Sequence, residues 1–446
     1  MEYNLIATTT FGLEGITSRE LKALGYEDLK VENGKVEFVG DEMDIAIANV
    51  HLRTADRVFI KMAEFEARSF EELFQGTKAV KWSEIIPVDG VMHVVGKSVN
   101  STLHSVPDCQ SIVKKAIVTS MSESYGVNTF SEDGPVYKIQ VAILKDKVTL
   151  SIDTSGSGLH KRGYREDAGI APLKETLAAA LVLISRWKED YVLIDPFCGS
   201  GTILIEAAMI MQNIAPGLCR NFVSETWPTI GADIYEQVKE GAERSIKNKD
   251  IKLIGYDIDG RVLKVARSNA EKAGVAKYIE FHKRDFKQFL QNYIPAKSGK
   301  MVDIQTGKVI GDHIGIMYYT IGQRKGLGIG GSGDAWFVVG KNYDQNILYI
   351  CQGDQNDWLM STGALITDVN WIPSIKPQEA IKCNTKFRYR QKDNPVTLTF
   401  IDENTVKLEF DQPVKSVTPG QAAVFYKDDC LLYTSPSPRD WGWSRM

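Results

Sequence analysis

Tyr191-Val-Leu-Ile-Asp-Pro-Phe-Cys-Gly-Ser-Gly-Thr202 decides the fold. Tyr191 to Ile194 is a short apolar run, suited to a strand buried on both faces. Asp195 and Pro196 stop it. Gly199, Ser200 and Gly201 predict a turn in which backbone approaches a ligand with no side chain in the way. Thr202 to Gln212, rich in Ile, Leu, Ala and Met, predicts a helix. Strand, acidic turn, glycine loop and helix make the first unit of an open α/β sheet with a nucleotide-type ligand at the strand's carboxyl end.

The loop after this strand is not a G-x-G-x-x-G, and no G-x-x-x-x-G-K-[ST] occurs in the chain, so no pyrophosphate cradle is encoded at this turn. A second strand, Leu253 to Asp257, ends in an acid, and a third, Tyr278 to His282, leads to Asp285. The helix between them, Arg261 to Ala273, ends at Gly274, a suitable C-cap. Residues 213 to 249 are an insertion between the first two acids. Asp195-Pro-Phe-Cys-Gly-Ser-Gly-Thr202 resembles the S-adenosylmethionine (SAM) loop of nucleic-acid amino-methyltransferases. The resemblance implies SAM as cofactor, held by Asp195, Pro196, Phe197, Cys198, Gly199, Gly201, Thr202, Asp257 and Asp285.

The totals are those of an ordinary globular protein: 446 residues, 43% hydrophobic, formal net charge −4. That length allows two to four domains. No basic excess announces nucleic acid, and no run of 18 apolar residues announces a membrane span. A cytoplasmic protein without a membrane partner is expected. The six cysteines, Cys109, Cys198, Cys219, Cys351, Cys383 and Cys430, form no C-x-x-C pair, and no metal is expected.

Upstream, residues 1–65 alternate strand and helix, with a hairpin around Asn33-Gly34, and read as a small ferredoxin-like α+β domain. Residues 66–155 form a second such unit, closing on a hairpin through Lys145-Asp146, and resemble the THUMP RNA-binding domain. The loop from Thr154 to Glu175 gathers His160, Lys161, Arg162 and Arg165 around Tyr164, with Lys174 following. Basic groups with an aromatic suit a phosphate backbone and a stacked base; a solvated linker is the plain alternative. Leu159-His-Lys-Arg-Gly-Tyr-Arg165 with Ala171-Pro-Leu-Lys-Glu175 resembles the THUMP-containing bacterial 23S rRNA guanine-N(2)-methyltransferases over about residues 1–285. RNA contact by His160, Lys161, Arg162, Tyr164, Arg165 and Lys174 is what that resemblance implies.

In that family a fourth strand ends in Asn-Pro-Pro-Tyr, which aligns the base amine with the methyl group. Here 15 prolines include no adjacent pair, so the methyltransferase domain, 156–285, stops after three strands. No catalytic residue is assigned, and little or no methyl transfer is expected. Beyond about Phe286, Tyr319-Thr-Ile-Gly-Gln-Arg-Lys-Gly-Leu327, Trp336-Phe-Val-Val-Gly340, Thr367-Asp-Val-Asn-Trp371, Lys386-Phe-Arg-Tyr-Arg390 and Val417-Thr-Pro-Gly-Gln421 resemble the bacterial tRNA-specific 2-thiouridylase. The resemblance implies a central-type β domain (286–355), a β-barrel (356–430) and tRNA contact through Gln323, Arg324 and Lys325. The family's ATP-binding domain and its two sulfur-transfer cysteines have no counterpart. Residues 431–446 match neither family and read as a disordered tail. The fold class is therefore multidomain α+β and α/β: a ferredoxin-like and THUMP region, a truncated Rossmann-like methyltransferase sheet, then all-β domains. Two partial RNA-modifying enzymes meet near Arg284-Asp285-Phe286. A chimeric reading frame is the leading account, and a non-catalytic RNA-binding fusion an alternative.

Overall fold

A computed structural model describes residues 1–165, 173–285, 297–367, 369–371, 380–388, 391–402, 405–427 and 430–434. The chain divides into two compact units, Met1–Phe289 and Leu290–Met446.

The first unit opens with β1 (Tyr3–Thr9), α1 (Glu14–Ala23), β2 (Lys30–Glu32), β3 (Lys35–Gly40), α2 (Glu42–His51) and β4 (Ala55–Glu66). It continues with α3 (Phe70–Lys78), β5 (Val91–Val99), α4 (Val106–Tyr125), β6 (Val136–Leu144) and β7 (Lys147–Asp153). Local chemistry sets these bounds. Asp41 caps α2 and Ser69 caps α3, each in a reciprocal capping box with an acid three residues on. Lys145 and Asp146 both take positive φ, 52° and 65°, as a two-residue hairpin turn of matching twist requires.

The two α+β units read from sequence share one seven-stranded sheet, ordered β2-β3-β1-β4-β7-β6-β5. Strand β4 is the seam. It pairs with β1 through its first half and with β7 through its second, with a register break between Lys61 and Ala63. Only β5–β6 is parallel, and α4 makes its crossover.

The methyltransferase region holds α5 (Glu175–Ser185), β8 (Leu193–Asp195), α6 (Thr202–Met211), α7 (Gly231–Arg244), β9 (Leu253–Asp257), α8 (Gly260–Lys272) and β10 (Ile279–Lys283). Its sheet is parallel, three-stranded and ordered β10-β9-β8. The strand expected from Tyr191, buried on both faces, is shorter and barer. Tyr191 and Val192 precede it and are 66% and 49% exposed. Among the described residues no strand pairs with the outer edge of β8 to cover them.

Of the insertion at 213–249, Ile214 packs against the methyltransferase core, but its large buried side chains do not. Phe222, Trp227, Ile230, Tyr235 and Val238 are buried with the seven-stranded sheet instead. Trp227 stacks on Tyr137 with ring centroids 4.5 Å apart and donates its indole N–H to the Val136 carbonyl at 3.0 Å. Tyr235 bonds Asn49 (3.1 Å) and Ser224 (2.7 Å) in a buried network that also includes Thr154 and Ser155. The insertion ties the seven-stranded sheet to the three-stranded one.

The second unit carries β11 (Gly299–Asp303), β12 (Val309–His313), β13 (Trp336–Asn342) and β14 (Ile347–Gln352) in a sheet ordered β12-β11-β14-β13. Its β11–β14 pair is parallel. The remaining strands are β15 (Met360–Ile366), β16 (Asn370–Trp371), β17 (Ile381–Lys386), β18 (Asn394–Phe400), β19 (Val406–Lys415), β20 (Val424–Lys427) and β21 (Cys430–Thr434). They form an antiparallel sheet ordered β15-β19-β18-β17-β20-β21-β16 around Phe425, Leu398 and Val406. Residues 431–434, expected to open a disordered tail, pair instead in β21 with β20 and β16. Residues 435–446, and Phe286 at the expected join, lie outside the described residues.

Candidate SAM site and nucleic-acid surface

The three acids lie at the carboxyl ends of β8, β9 and β10, as parallel pairing requires. The Asp195 side chain accepts from Phe197 N at 3.0 Å and so turns the chain out of β8. Cys198 N donates to the Tyr256 carbonyl (2.9 Å) and Gly199 N to Asp257 Oδ2 (3.0 Å), so the glycine loop is sewn to the end of β9. Asp257 Oδ1 accepts from Asp259 N at 2.9 Å. Each oxygen of this carboxylate keeps a second lone pair for a hydroxyl.

The glycines divide the labour. Gly199 has φ of +51°, and a Cβ there would meet no atom within 4 Å. Gly201, at φ +80°, caps α6, and its Cβ would sit 3.0 Å from Phe281 and 3.2 Å from Ala266. Open space for a ligand therefore lies over Gly199, while Gly201 serves packing. Burial raises the Asp195 carboxyl above its usual range, and the Asp257 charge adds to the effect. Burial, with both acids, pushes the Cys198 thiol up to about 12, leaving it an inert core thiol. Phe197 is 64% exposed at the rim. Asp285 follows β10 by two residues and is half-buried. Unfilled space over Gly199, a loop edged by backbone amides and two carboxylates fit the polar, phosphate-free part of SAM. The Cys198 and Thr202 side chains are not open to a ligand: Cys198 is buried, with its amide on the Tyr256 carbonyl, and the Thr202 hydroxyl accepts from Arg165.

The basic cluster divides in the same way. Arg162 is 2% exposed. It forms an ion pair with buried Glu206 (3.4 Å) and donates to the carbonyls of Leu159 (2.7 Å) and Arg53. Tyr164, equally buried, donates its hydroxyl to Glu206 at 3.1 Å. Arg165 pairs with Glu175 at 3.3 Å and bonds the Leu173 carbonyl. These three are not the RNA platform expected of them. A buried guanidinium and phenol cannot meet a phosphate or a base, and the SAM-side helix α6 already uses them. Lys161 and Lys174 are exposed. His160 is half-buried, and burial, with the Lys174 charge, lowers its imidazole pKa and holds it neutral near pH 7. Sequence reasoning missed Arg220, which gathers the linker carbonyls of Gly158 (2.7 Å), Lys161 (3.0 Å) and Ser157 (2.7 Å) while lying over the Phe222 ring. A lone arginine in an insertion gave no periodic signal.

In the second unit Arg324 and Lys325 are exposed. Gln323 is spent on the turn, accepting from Thr320 N and donating to the Lys325 carbonyl. Arg324 lines a recess of about 290 Å³ with Asp334, Trp336 and the glycines of 326–333. Among the described residues no His, Cys, Asp and Glu cluster could hold a metal ion, and no helix is long and apolar enough to cross a membrane.

A parallel sheet with a glycine loop and strand-end acids, built onto a THUMP-type sheet, defines the class: a SAM-dependent methyltransferase fold coupled to an RNA-binding module. Matches to family models agree. Residues 4–59 match the RlmL ferredoxin-like domain, 67–153 the THUMP domain, and 162–301 the RMKL-like methyltransferase domain. Residues 287–352 match the tRNA methyl transferase PRC-barrel domain and 361–433 the aminomethyltransferase beta-barrel domain. YpsC of Bacillus subtilis (strain 168), whose name proposes an RNA methyltransferase, is 49% identical over 294 residues, 65% of this chain and 76% of YpsC. The chain belongs to the family of THUMP-containing, SAM-dependent RNA methyltransferases. A Listeria monocytogenes structure, described as a predicted N6-adenine-specific DNA methylase, is 51% identical with a TM-score of 0.62, over 64% of this chain and 75% of that one. SMU.472, described as a methyltransferase and solved with S-adenosylhomocysteine (SAH), is 41% identical with a TM-score of 0.62, over 65% and 77%.

Proposed function

We propose that the first unit is a guanine-N(2)-methyltransferase unit for 23S rRNA. It holds SAM over Gly199 between Asp195 and Asp257, with Asp285 toward the adenine, and contacts RNA through the THUMP sheet, Lys161 and Lys174. In this chain it binds without transferring the methyl group. The observation that carries this reading is the sheet order β10-β9-β8, which among the described residues includes no further strand to position the base amine. Calorimetry with SAM is expected to give saturable binding that Asp257→Ala weakens. Methylation of protein-free 23S rRNA by the same preparation is expected to stay at background, and transfer above it ends the reading. The relatives' names differ on the nucleic acid, so a DNA adenine substrate belongs in the same assay.

The second unit, on this reading, holds tRNA through Arg324 and Lys325 without chemistry of its own, as a remnant of a tRNA-specific 2-thiouridylase. The motif around Gln323, Arg324 and Lys325 is what this reading rests on; the family matches at 287–352 and 361–433 name a tRNA methyl transferase PRC-barrel domain and an aminomethyltransferase beta-barrel domain. Filter binding is expected to show tRNA affinity falling steeply with salt, since phosphate contacts release counterions; ATP consumption with tRNA would count against it. The methyltransferase and PRC-barrel matches overlap over 287–301. Amplifying source DNA across the codons for Phe281 to Lys300 decides between a chimeric reading frame and a genuine RNA-binding fusion.

A further inference from the structure

A recess of about 650 Å³ opens between the insertion, the residues that follow α7 and the end of α8. Its size is that of a small-ligand site. Asn248 and Tyr278 on its rim precede β9 and β10, so it lies at the amino ends of these strands. The SAM acids stand at the carboxyl ends. The five residues of β9 put roughly 17 Å between the two places.

Hydrogen bonds fix the walls of this recess. Gln212, fully buried beneath it, donates its side-chain amide to the Lys249 carbonyl and accepts from Lys249 N, at 2.8 Å each. The Gln212 carbonyl takes Lys247 N at 2.7 Å. Residues 247–249 are thereby pinned to the end of α6. Asn248 Oδ1 accepts from both Lys277 Nζ and the Tyr278 hydroxyl, at 2.9 Å each. Lys277 also lies over the Tyr278 ring, 4.8 Å from its centroid. An ammonium can only donate, so the amide oxygen of Asn248 is the atom that faces Lys277, and its NH2 remains a donor for a ligand.

The lining has two chemistries. Ile214, Leu218 and Ile246 make it apolar, and Ile246 is 42% exposed. Lys247, Lys272 and Lys277 make it basic, with Glu243 the one acid among its lining residues. This local excess of cations stands on a chain of formal charge −4. An apolar wall ringed by ammonium groups suits an anion that carries a flat apolar part, and a nucleotide is such an anion.

We propose that this recess holds an unpaired nucleotide of the RNA substrate, its base against Ile214, Leu218 and Ile246 and its neighbouring phosphates on Lys247, Lys272 and Lys277. The proposal rests on RNA being the substrate, and adds a contact on the methyltransferase side, apart from the THUMP sheet, Lys161 and Lys174. A single strand is specified because a paired base has its faces stacked and is not free to enter an apolar wall.

Cys219 lines the same recess and is exposed, so its alkylation reports occupancy. The full chain is pulsed with N-ethylmaleimide, and Cys219 modification is read by mass spectrometry. A single-stranded RNA dodecamer of mixed sequence is expected to slow the modification about ten-fold, while AMP and poly-glutamate leave it unchanged. In filter binding, Ile246→Asp/Lys247→Glu is expected to weaken the same RNA about ten-fold, the worth of one stacked base and one phosphate contact. Ile246→Leu/Lys247→Arg should keep the parent affinity. Unchanged SAM affinity and unchanged amide protection in β1, β4 and β7 show that the first variant is folded. RNA that binds without protecting Cys219, a first variant that binds RNA as the parent does, or equal protection by AMP or poly-glutamate would each overturn the proposal and leave the proposed function standing. A chain that binds no RNA at all would overturn both.

Discussion

Asp195 and Asp257 hold two carboxylates at one loop. Asp195 is raised above the ordinary carboxylate range by burial first and by Asp257 second. The sign of the consequence follows from linkage. A carboxyl whose pKa is higher in the folded state costs stability when ionised, and the cost fades as pH falls through the folded value toward the unfolded one. Asp195→Asn is therefore expected to raise the melting temperature at pH 7 and to do so less at pH 4. Calorimetry should meanwhile show SAM affinity falling about ten- to hundred-fold, the worth of a charge-assisted hydrogen bond. A variant that lost stability at pH 7 would mean the carboxylate is structural. The two glycines make a second pair. Gly199→Ala adds a methyl in open space at positive φ and is expected to cost about 1 kcal/mol. Gly201→Ala adds both the φ strain and the contact with Phe281 and is expected to cost roughly twice that or more in urea denaturation.

At the scale of elements, α6 reads the linker. Thr202 and Glu206, one turn apart on its buried face, take Arg165 and Arg162 respectively. Arg162→Met removes one partner of a buried pair and leaves Glu206 with the Tyr164 hydroxyl and the more distant Arg53 charge, a loss of about 3–5 kcal/mol. Glu206→Leu in the same chain should recover a large part of it, and a double-mutant cycle in urea separates the pair's coupling from the burial cost. Additive losses would show that the pair is not coupled. Trp227→Ala should cost about 3–5 kcal/mol by emptying the space against Tyr137.

The same elements show what is legible in sequence. Asn33-Gly34, Lys145-Asp146 and the strand ending at Asp257 are local, since turn chemistry and strand period sit within a few residues. The SAM loop is legible because Asp195 to Thr202 encodes its own turn. The fate of Arg162, Tyr164 and Arg165 is not local. Whether a basic cluster faces RNA or a buried acid depends on Glu206, 44 residues away in the chain. The insertion's attachment to the seven-stranded sheet is longer-range still, running from Trp227 back to Val136 over 91 residues. Burial of a charge is a property of the partner, and the partner is found only by folding.

The whole molecule has several cores rather than one. Leu5, Ile45, Trp82 and Trp227 belong to one cluster and Leu204, Leu253 and Leu263 to another, both in Met1–Phe289. Leu398, Val406 and Phe425 form a third, and Met301, Val338 and Leu348 a fourth, both in Leu290–Met446. Two-state unfolding of a whole chain needs cores that share side chains or a large common interface, and chains of this size with separate cores depart from it. Two transitions are therefore expected in calorimetry of the full chain, assigned by one substitution in each unit. Phe425, fully buried, should lose about 3–5 kcal/mol on change to Ala and move only the transition of the second unit. Trp82→Ala, at an equally buried site, should move only that of the first. Hydrogen exchange at β17 and β19 for the former, and at β1 and β4 for the latter, assigns each transition. If either substitution shifts both transitions by the same free energy, the two units fold as one cooperative body.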